Sequence, residues 1–231
     1  VFESLYSMDG TKANVAEYVR LAKKYNALTY LDEVHAVGLY GKKGRGVAQE
    51  CGVSDQIDII NGTLAKGFGQ IGGYITGDEI LIDFIKSFAP GFIFTTSMMP
   101  AIAAAASKSI EIVQTLDEER KLVFSKANYI KNQLKKVGID FIDSDSHIIP
   151  VLAYDESKVK DYSNTLLNKH NTYLQPIFYP TVPKGSARLR ITVTPKHSIT
   201  DINDLISSLR MTWGKHSQRV ISAPLQPAMA L

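Results

Sequence analysis

The fold is decided by TYLDEVHAVGLYG at residues 29–41 and by GTLAKGFGQIGGYITG at residues 62–77. Each stretch follows or contains a short apolar segment typical of a strand and continues into a glycine-rich loop. In an open α/β sheet, ligands bind outside the carboxyl ends of the strands. Four side chains that can do chemistry come directly after the two predicted strands: Asp32, His35, Thr63 and Lys66.

These four side chains supply a carboxylate, an imidazole, a hydroxyl and an amine. Taken singly, each has an ordinary explanation, because an aspartate after a strand is often a turn former and a loop lysine is usually solvated. Together they match what pyridoxal 5'-phosphate (PLP) requires. Its aldehyde needs an amine, for which we take Lys66, and its pyridine nitrogen needs a carboxylate to stay protonated, for which we take Asp32.

The glycines after Lys66 allow a second interpretation. Gly67, Gly69 and Gly72 fit the G-x-G-x-x-G spacing of nucleotide-binding loops. They run into a predicted strand at 73–76 rather than opening a helix, so the context is wrong for that motif. Plain turns remain possible, but close approach of the backbone to a ligand is the interpretation that we favour.

Outward from these stretches, strands and helices alternate up to about residue 113. The periodicity predicts a helix over 12–26 with a possible cap at 9–11, a second helix over 80–88 and a third from Pro100, with a stop and turn at Pro90-Gly91. Strands are predicted at 27–31 and 58–61, and the stretch at 1–4 resembles the inside of a strand. This alternation is typical of an α/β domain.

The later part of the chain has a different order of predicted helices and strands. A long amphipathic helix is predicted from about Glu118 to Val137, where Gly138 stops it. Strands then follow at 148–154, 173–178 and 188–194, with helices at 156–169 and 200–213. We predict three regions: a large-domain portion at 1–112, a smaller α+β domain at 113–215 and a flexible tail at 216–231.

Composition excludes several classes of protein. Charged residues make up 21% of the chain, the net charge is +3 and no long block of one sign occurs, so nucleic acid is not an expected partner. The single cysteine, Cys51, rules out an internal disulfide and has no Cys or His at ligand spacing, so no metal site is expected. No apolar run approaches the length of a membrane span.

The two stretches, with four others, resemble the α-oxoamine synthase family of fold-type I PLP enzymes. The resemblance runs from Glu3 to about Trp213 and covers the C-terminal half of such enzymes. The other strings are ESLYSMDG (3–10), GFIFTTSMMP (91–100), SHIIPV (146–151) and QPIFYPTVPKGSARLRITVTPKH (175–197). The resemblance implies the C-terminal part of a PLP-binding large domain with a mixed, mostly parallel sheet, followed by a smaller α+β domain.

The resemblance also implies roles at the cofactor. Lys66 holds PLP through an imine and then removes a proton from bound glycine. Asp32 pairs with the ring nitrogen, and His35 contacts the ring hydroxyl. Ser7 and Thr63 approach the cofactor.

For the substrates and the partner subunit, the resemblance implies a further set. Thr95 and Thr96 reach the phosphate from the neighbouring subunit of a homodimer, and Thr181 contacts the acyl-CoA. Arg190 binds the glycine carboxylate, for which a bidentate guanidinium is suited. From the strand pattern alone, Arg188 and Arg190 share one face and would be the ordinary charges of an edge strand.

Within the family, the strings resemble the members that condense glycine with succinyl-CoA. That reaction gives 5-aminolevulinate, CoA and CO2 and is the first step of haem and tetrapyrrole biosynthesis. Alternatives are a synthase of 8-amino-7-oxononanoate or 2-amino-3-ketobutyrate, and an inactive fragment. A non-catalytic partner subunit would typically lack the imine-forming lysine, so the presence of Lys66 argues against it.

The beginning of the chain reads Val1-Phe2-Glu3-Ser4, without an initiator methionine. We therefore expect a fragment that lacks the N-terminal half of the site, including the helix whose N-terminus would hold the phosphate. Such a chain alone should bind PLP weakly and show little or no catalysis. The bacterial cytoplasm and the mitochondrial matrix both fit, and secretion is not expected.

Overall fold

The computed structural model describes residues 1–214 and 221–222. Within them, the chain forms two compact units. The first unit contains Val1–Leu5 and Ala13–Asp117. The second contains Tyr6–Lys12 and the described residues from Glu118 onward. The predicted division at 1–112 and 113–215 remains a proposal; the two units differ from it because Tyr6–Lys12 belongs to the second unit and residues 113–117 belong to the first. Most of the predicted tail lies outside the described residues.

The first unit is built on a four-stranded sheet. Its strands are β1 (Phe2–Glu3), β2 (Tyr30–Asp32), β3 (Ile59–Thr63) and β4 (Gly73–Gly77), in the order β1-β2-β3-β4. The pairs β1–β2 and β2–β3 are parallel, whereas β3–β4 is antiparallel. A mixed and mostly parallel sheet with helices is the predicted α/β class, which is confirmed.

The α-helices of the first unit begin, in most cases, at a capping side chain or a proline. They are α1 (Val15–Lys24), α2 (Val47–Glu50), α3 (Glu79–Phe88), α4 (Pro90–Ile93) and α5 (Pro100–Val113). Asn14 caps α1 by accepting from the amide of Glu17, and Asp78 caps α3 by accepting from the amide of Ile80. Pro100 opens α5 as predicted, because the first turn of a helix needs no N–H from that position.

The second unit is a three-stranded antiparallel sheet with three helices and a short parallel pair. The helices are α6 (Asp117–Val137), α7 (Glu156–His170) and α8 (Ile199–Trp213), and the strands are β5 (Ile142–Asp143), β6 (Ile148–Tyr154), β7 (Gln175–Ile177), β8 (Ala187–Thr192) and β9 (Ile221–Ser222). The large sheet has the order β6-β8-β7, and β5 pairs with β9. Gly138, with φ 71°, follows α6 as expected of a helix stop.

Three local expectations were wrong. β2 begins at Tyr30 and not at residue 27. Leu28 is 77% exposed, and the amide of Thr29 donates to the carboxylate of Asp58 instead of to a neighbouring strand. The predicted cap of α1 at 9–11 is replaced by Asn14. The predicted turn at Pro90-Gly91 is the start of α4.

Candidate functional site

In the first unit, four of the predicted cofactor residues, namely Asp32, His35, Thr63 and Lys66, lie at or just after the carboxyl ends of β2 and β3. These strands are parallel neighbours in which Asp32 and Asn61 are paired at the Cα level. The Asp32 carboxylate is half-buried; its Oδ1 accepts from the amide of Val34 at 2.8 Å and its Oδ2 accepts from Nδ2 of Asn61 at 3.3 Å. The carboxylate is therefore oriented from both sides and keeps unused lone pairs for a further donor.

Asn61 is a site residue that the sequence analysis missed. Its amide occupies a position within β3 that an apolar side chain would ordinarily fill, and a polar residue inside the IINGT strand was the available signal. Without the pairing register, nothing in the sequence shows that Asn61 lies beside Asp32. The tertiary structure adds Asn61 to the candidate set because its side-chain amide donates to the Asp32 carboxylate.

Thr63 and Lys66 follow on the next strand and its loop. The Thr63 hydroxyl donates to the carbonyl oxygen of Gly72 at 3.2 Å and accepts from the amide of Ala65 at 3.1 Å, so it closes the turn that carries the lysine. Lys66 itself is exposed, three residues beyond the end of β3. His35 is half-buried in the turn after β2. An amine, a hydroxyl, a carboxylate and an imidazole thus share one edge of the sheet.

The loops after β2 and β3 touch through glycines. A Cβ built on Gly38 would lie 3.3 Å from the Cα of Gly67, and one built on Gly67 would lie 2.8 Å from the carbonyl oxygen of Val37. Gly67 directly follows Lys66, so these glycines are explained by contact of backbone with backbone rather than by approach to a ligand. This finding revises the sequence-based interpretation of Gly67.

Glu33, the neighbour of Asp32, is buried with 1% of its surface exposed. Its carboxylate accepts from the hydroxyl of Ser4 at 2.7 Å and from the amides of Val47 at 3.1 Å and Ala48 at 2.7 Å. Burial raises the pKa of Glu33, and these three hydrogen bonds oppose the rise. These hydrogen bonds of Glu33 are not visible in the sequence, because they depend on which distant segments meet.

In the second unit, the structure brings Ser7 and Arg190 together. Arg190 Nη1 donates to the carbonyl oxygen of Ser7 at 3.1 Å, and Arg188 Nη1 donates to the carbonyl oxygen of Met8 at 3.0 Å. Both arginines lie on β8, which is the central strand of its sheet. The interpretation of these residues as edge-strand charges is therefore wrong.

His147 and Lys131 stand near Arg190 in the same unit. His147 is 7% exposed, and burial, followed by the positive charges of Lys131 and Arg190, lowers its pKa to about 4. The ammonium group of Lys131 donates to the carbonyl oxygens of Ser144 and Ser146. Burial lowers the pKa of Lys131, while nearby aspartates raise it. The imidazole is therefore neutral at pH 7 in a positively charged surrounding.

The other three predicted residues are exposed. Thr95 and Thr96 lie between α4 and α5, and Thr181 follows the Tyr179–Pro180 pair, with its amide donating to the carbonyl oxygen of Phe178 at 3.0 Å. Among the described residues, no group of three or more His, Cys, Asp or Glu side chains could hold a metal ion. No helix within the described part of the chain is long and apolar enough to cross a membrane.

The chain is similar in sequence to a known protein family and to curated proteins. The family profile for aminotransferase class I and II matches residues 1–209. The chain is 51% identical over 209 residues to a 5-aminolevulinate synthase from Rickettsia felis, covering 90% of this chain and 50% of that protein. It is 49% identical over 214 residues to a 5-aminolevulinate synthase from Rhizobium meliloti, covering 93% and 53%.

A solved structure is also similar. It is a serine palmitoyltransferase from S. paucimobilis with a bound PLP–myriocin aldimine; it is 29% identical and has a TM-score of 0.86, with 91% of this chain and 53% of that chain covered. The chain thus spans about half the length of the curated relatives that it matches.

Proposed function

The chain belongs to the aminotransferase class I and II family, and from that premise we propose that its protein is a PLP-dependent acyltransferase. The reaction is the condensation of glycine with succinyl-CoA, which gives 5-aminolevulinate, CoA and CO2. The observation that carries the proposal is identity of about one half to 5-aminolevulinate synthases over nine tenths of this chain, including the segments that hold Asp32 and Lys66.

The residues of the first unit fit PLP. The aldehyde and the ring nitrogen of PLP require an amine and a carboxylate. Here the amine lies on the loop after β3, and the carboxylate lies at the end of the neighbouring parallel strand β2. The Asp32 carboxylate is already oriented by Val34 and Asn61, so holding a further proton donor would need no rearrangement of its backbone. Thr63 is proposed to approach the cofactor and His35 to contact the ring hydroxyl; Ser7, a residue of the second unit, is proposed to approach the cofactor as well.

Bound PLP would supply a protonated ring as an electron sink for the deprotonation of glycine. In the proposed mechanism, Asp32 keeps a proton on the ring nitrogen through its carboxylate. Lys66 would hold the cofactor through its amine, and the same amine would accept the α-proton of bound glycine. The glycine carboxylate pairs with Arg190, whose remaining N–H groups are available beside the one bonded to Ser7.

Further parts of the proposal concern the acyl donor and the partner subunit. Thr181 is exposed and contacts the acyl-CoA. Thr95 and Thr96, which are exposed too, reach the cofactor phosphate of a neighbouring copy in a homodimer. For the compartment we propose the bacterial cytoplasm or the mitochondrial matrix, and the bacterial origin of the two relatives compared above favours the first.

Another α-oxoamine synthase activity is the second candidate. The similarity in fold to serine palmitoyltransferase favours it only generally, because the identity there is 29% against 51% for 5-aminolevulinate synthase. Assaying the whole protein with glycine, alanine and serine against several acyl-CoAs separates the two. Turnover with glycine and succinyl-CoA, abolished in Lys66→Ala, is the expected result. Equal or better turnover with another pair would contradict the proposal.

A further inference from the structure

The buried carboxylate of Glu33 joins three separate segments of the first unit. Its two oxygens accept from Ser4 beside β1 and from the first two amides of α2. With 1% exposure, the carboxylate is closed off from solvent and all three donors come from the protein. Removing such an acceptor leaves buried donors without a partner, which costs more than the bond itself contributes.

The segment that Glu33 holds is the end of the glycine-rich loop at residues 38–46. Gly46 has φ 106°, and a Cβ built there would lie 2.8–2.9 Å from the Glu33 carboxylate, so the carboxylate rests directly on the loop backbone. The loop is closed by the amide of Gly46 donating to Tyr40 and by the amide of Gly38 donating to Gly44, each at 2.8 Å. These two hydrogen bonds tie together the two ends of the loop, at Gly38 and Gly46.

The other side of this loop supports the peptide that follows Lys66. Gly38 and Gly67 are so close that a Cβ on either would contact the other's backbone. The loop after β3 cannot move towards β2 without displacing Gly38. The Glu33 carboxylate thus contacts Gly46, the loop hydrogen bonds connect Gly46 to Gly38, and Gly38 contacts Gly67.

We infer that Glu33 is a positioning residue: by anchoring the 38–46 loop, it fixes the backbone from which Lys66 reaches the cofactor. This inference rests on the proposed function, in which Lys66 forms the imine. The length of the side chain matters, because aspartate is one methylene shorter and would leave the α2 amides without their acceptor. Glutamine keeps the length but presents an N–H group to donors.

The test compares Glu33→Gln and Glu33→Asp with Glu79→Gln in the whole protein. Glu79 is a control because it is a glutamate of the same unit that is exposed in the first turn of α3, whereas Glu33 is buried after β2. Hydrogen–deuterium exchange without cofactor is measured in peptides over 37–48, 64–72 and 148–154. We expect faster exchange in the first two peptides of both Glu33 variants, unchanged exchange in the third, and no change in the control.

Cofactor binding gives the second readout. We expect the PLP dissociation constant of the Glu33 variants to rise about 10-fold, the size that one lost charge-assisted hydrogen bond produces. The pH at which the imine absorbance changes should also shift, because the lysine is held less firmly. Faster exchange confined to 37–48, with the dissociation constant and the absorbance titration unchanged, would overturn the inference.

Two further measurements keep the outcome unambiguous. Borohydride reduction of the unmodified protein, followed by peptide mass spectrometry, reports whether PLP is attached to Lys66; its failure would refute the proposed function itself. If the Glu33 variants do not fold, Ser4→Ala removes one of the three donors to Glu33 and should change exchange and binding in the same direction by about 3-fold. An unchanged Ser4→Ala protein would overturn the inference.

Discussion

Arg190 donates a hydrogen bond of 3.1 Å from Nη1 to the carbonyl oxygen of Ser7, a residue 183 positions earlier in the chain. Beside it, Arg188 holds the carbonyl oxygen of Met8. Gly10, with φ 74°, ends this turn where a Cβ would lie 2.6 Å from the Ser146 hydroxyl oxygen. The YSMDG turn is therefore fixed by side chains from distant parts of the second unit.

The first prediction concerns Arg190. Lysine at this position keeps the charge but loses the planar, bidentate geometry, so we expect Arg190→Lys to raise KM for glycine about 10- to 100-fold. The control is Arg210→Lys, because Arg210 is an exposed residue of α8. Steady-state kinetics with glycine varied provides the measurement. An unchanged KM for glycine would remove Arg190 from the proposed substrate site.

The second prediction concerns Asp32. Asparagine can still accept from the amide of Val34 but cannot keep a ring nitrogen protonated, so we expect Asp32→Asn to fold and to lose about 100-fold or more in kcat. Asp78→Asn, at the exposed cap of α3, is the control. The comparison uses kcat and the visible spectrum of the bound cofactor. Turnover near that of the unmodified protein would contradict the role of Asp32.

Substitution of Gly67 is the third prediction. The Cβ of Gly67→Ala would lie 2.8 Å from the carbonyl oxygen of Val37, so we expect a loss of about 1–3 kcal/mol in unfolding free energy and weaker trapping of PLP at Lys66. Gly91→Ala is the control, because no heavy atom lies within 4 Å of its Cβ position. Thermal unfolding and borohydride trapping measure the two effects. Equal behaviour of the two variants would show that the loop contact has no consequence.

The fourth prediction concerns His147 and acid stability. Its pKa is lowered from 6.5 to about 4, so the unfolded chain binds more protons between these values and stability falls as the pH drops. The full loss is about 3 kcal/mol and is reached below pH ~4. Stability linked to this group is fully present above pH ~6.5.

This pH dependence can be measured by urea unfolding between pH 7 and pH 4, followed by the fluorescence of Trp213, which packs against Tyr162. We expect His147→Gln to flatten the profile. His197→Gln should not do so, because His197 is exposed. Profiles of equal slope for the unmodified chain and His147→Gln would contradict this prediction.

The fifth prediction concerns the 231-residue chain made by itself. Phe84 and Phe88 are 58% and 66% exposed and stack on each other, and Phe94 is 87% exposed. Exposed apolar side chains promote association, so we expect the chain to form concentration-dependent oligomers. Sedimentation is the measurement, and Phe88→Ser should reduce the association. A monodisperse monomer over the whole concentration range would contradict this prediction.

Local patterns in the sequence determined most of the helices and strands. They also determined where two candidate site residues, Asp32 and Lys66, lie relative to the strands. Helix α5 begins at Pro100 and α6 ends before Gly138 because backbone preferences at those residues act locally. Asp32 at the end of β2 and Lys66 on the loop after β3 follow from strand ends that are visible in the sequence, and ligands of open α/β sheets bind outside such ends. The boundary of β2 was missed because the carboxylate of Asp58, a distant residue, binds the amide of Thr29.

Only the tertiary structure decided which side chains meet. The sequence cannot show that Asn61 pairs with Asp32, or that Glu33 accepts from Ser4 and from the amides of α2. Nor can it show that β8 is a central strand and that Arg190 on it binds Ser7. Each of these contacts depends on strand order and register, which are set by the packing of segments far apart in the chain. The candidate reactive groups can therefore be identified from local sequence, whereas the groups that orient them depend on long-range pairing.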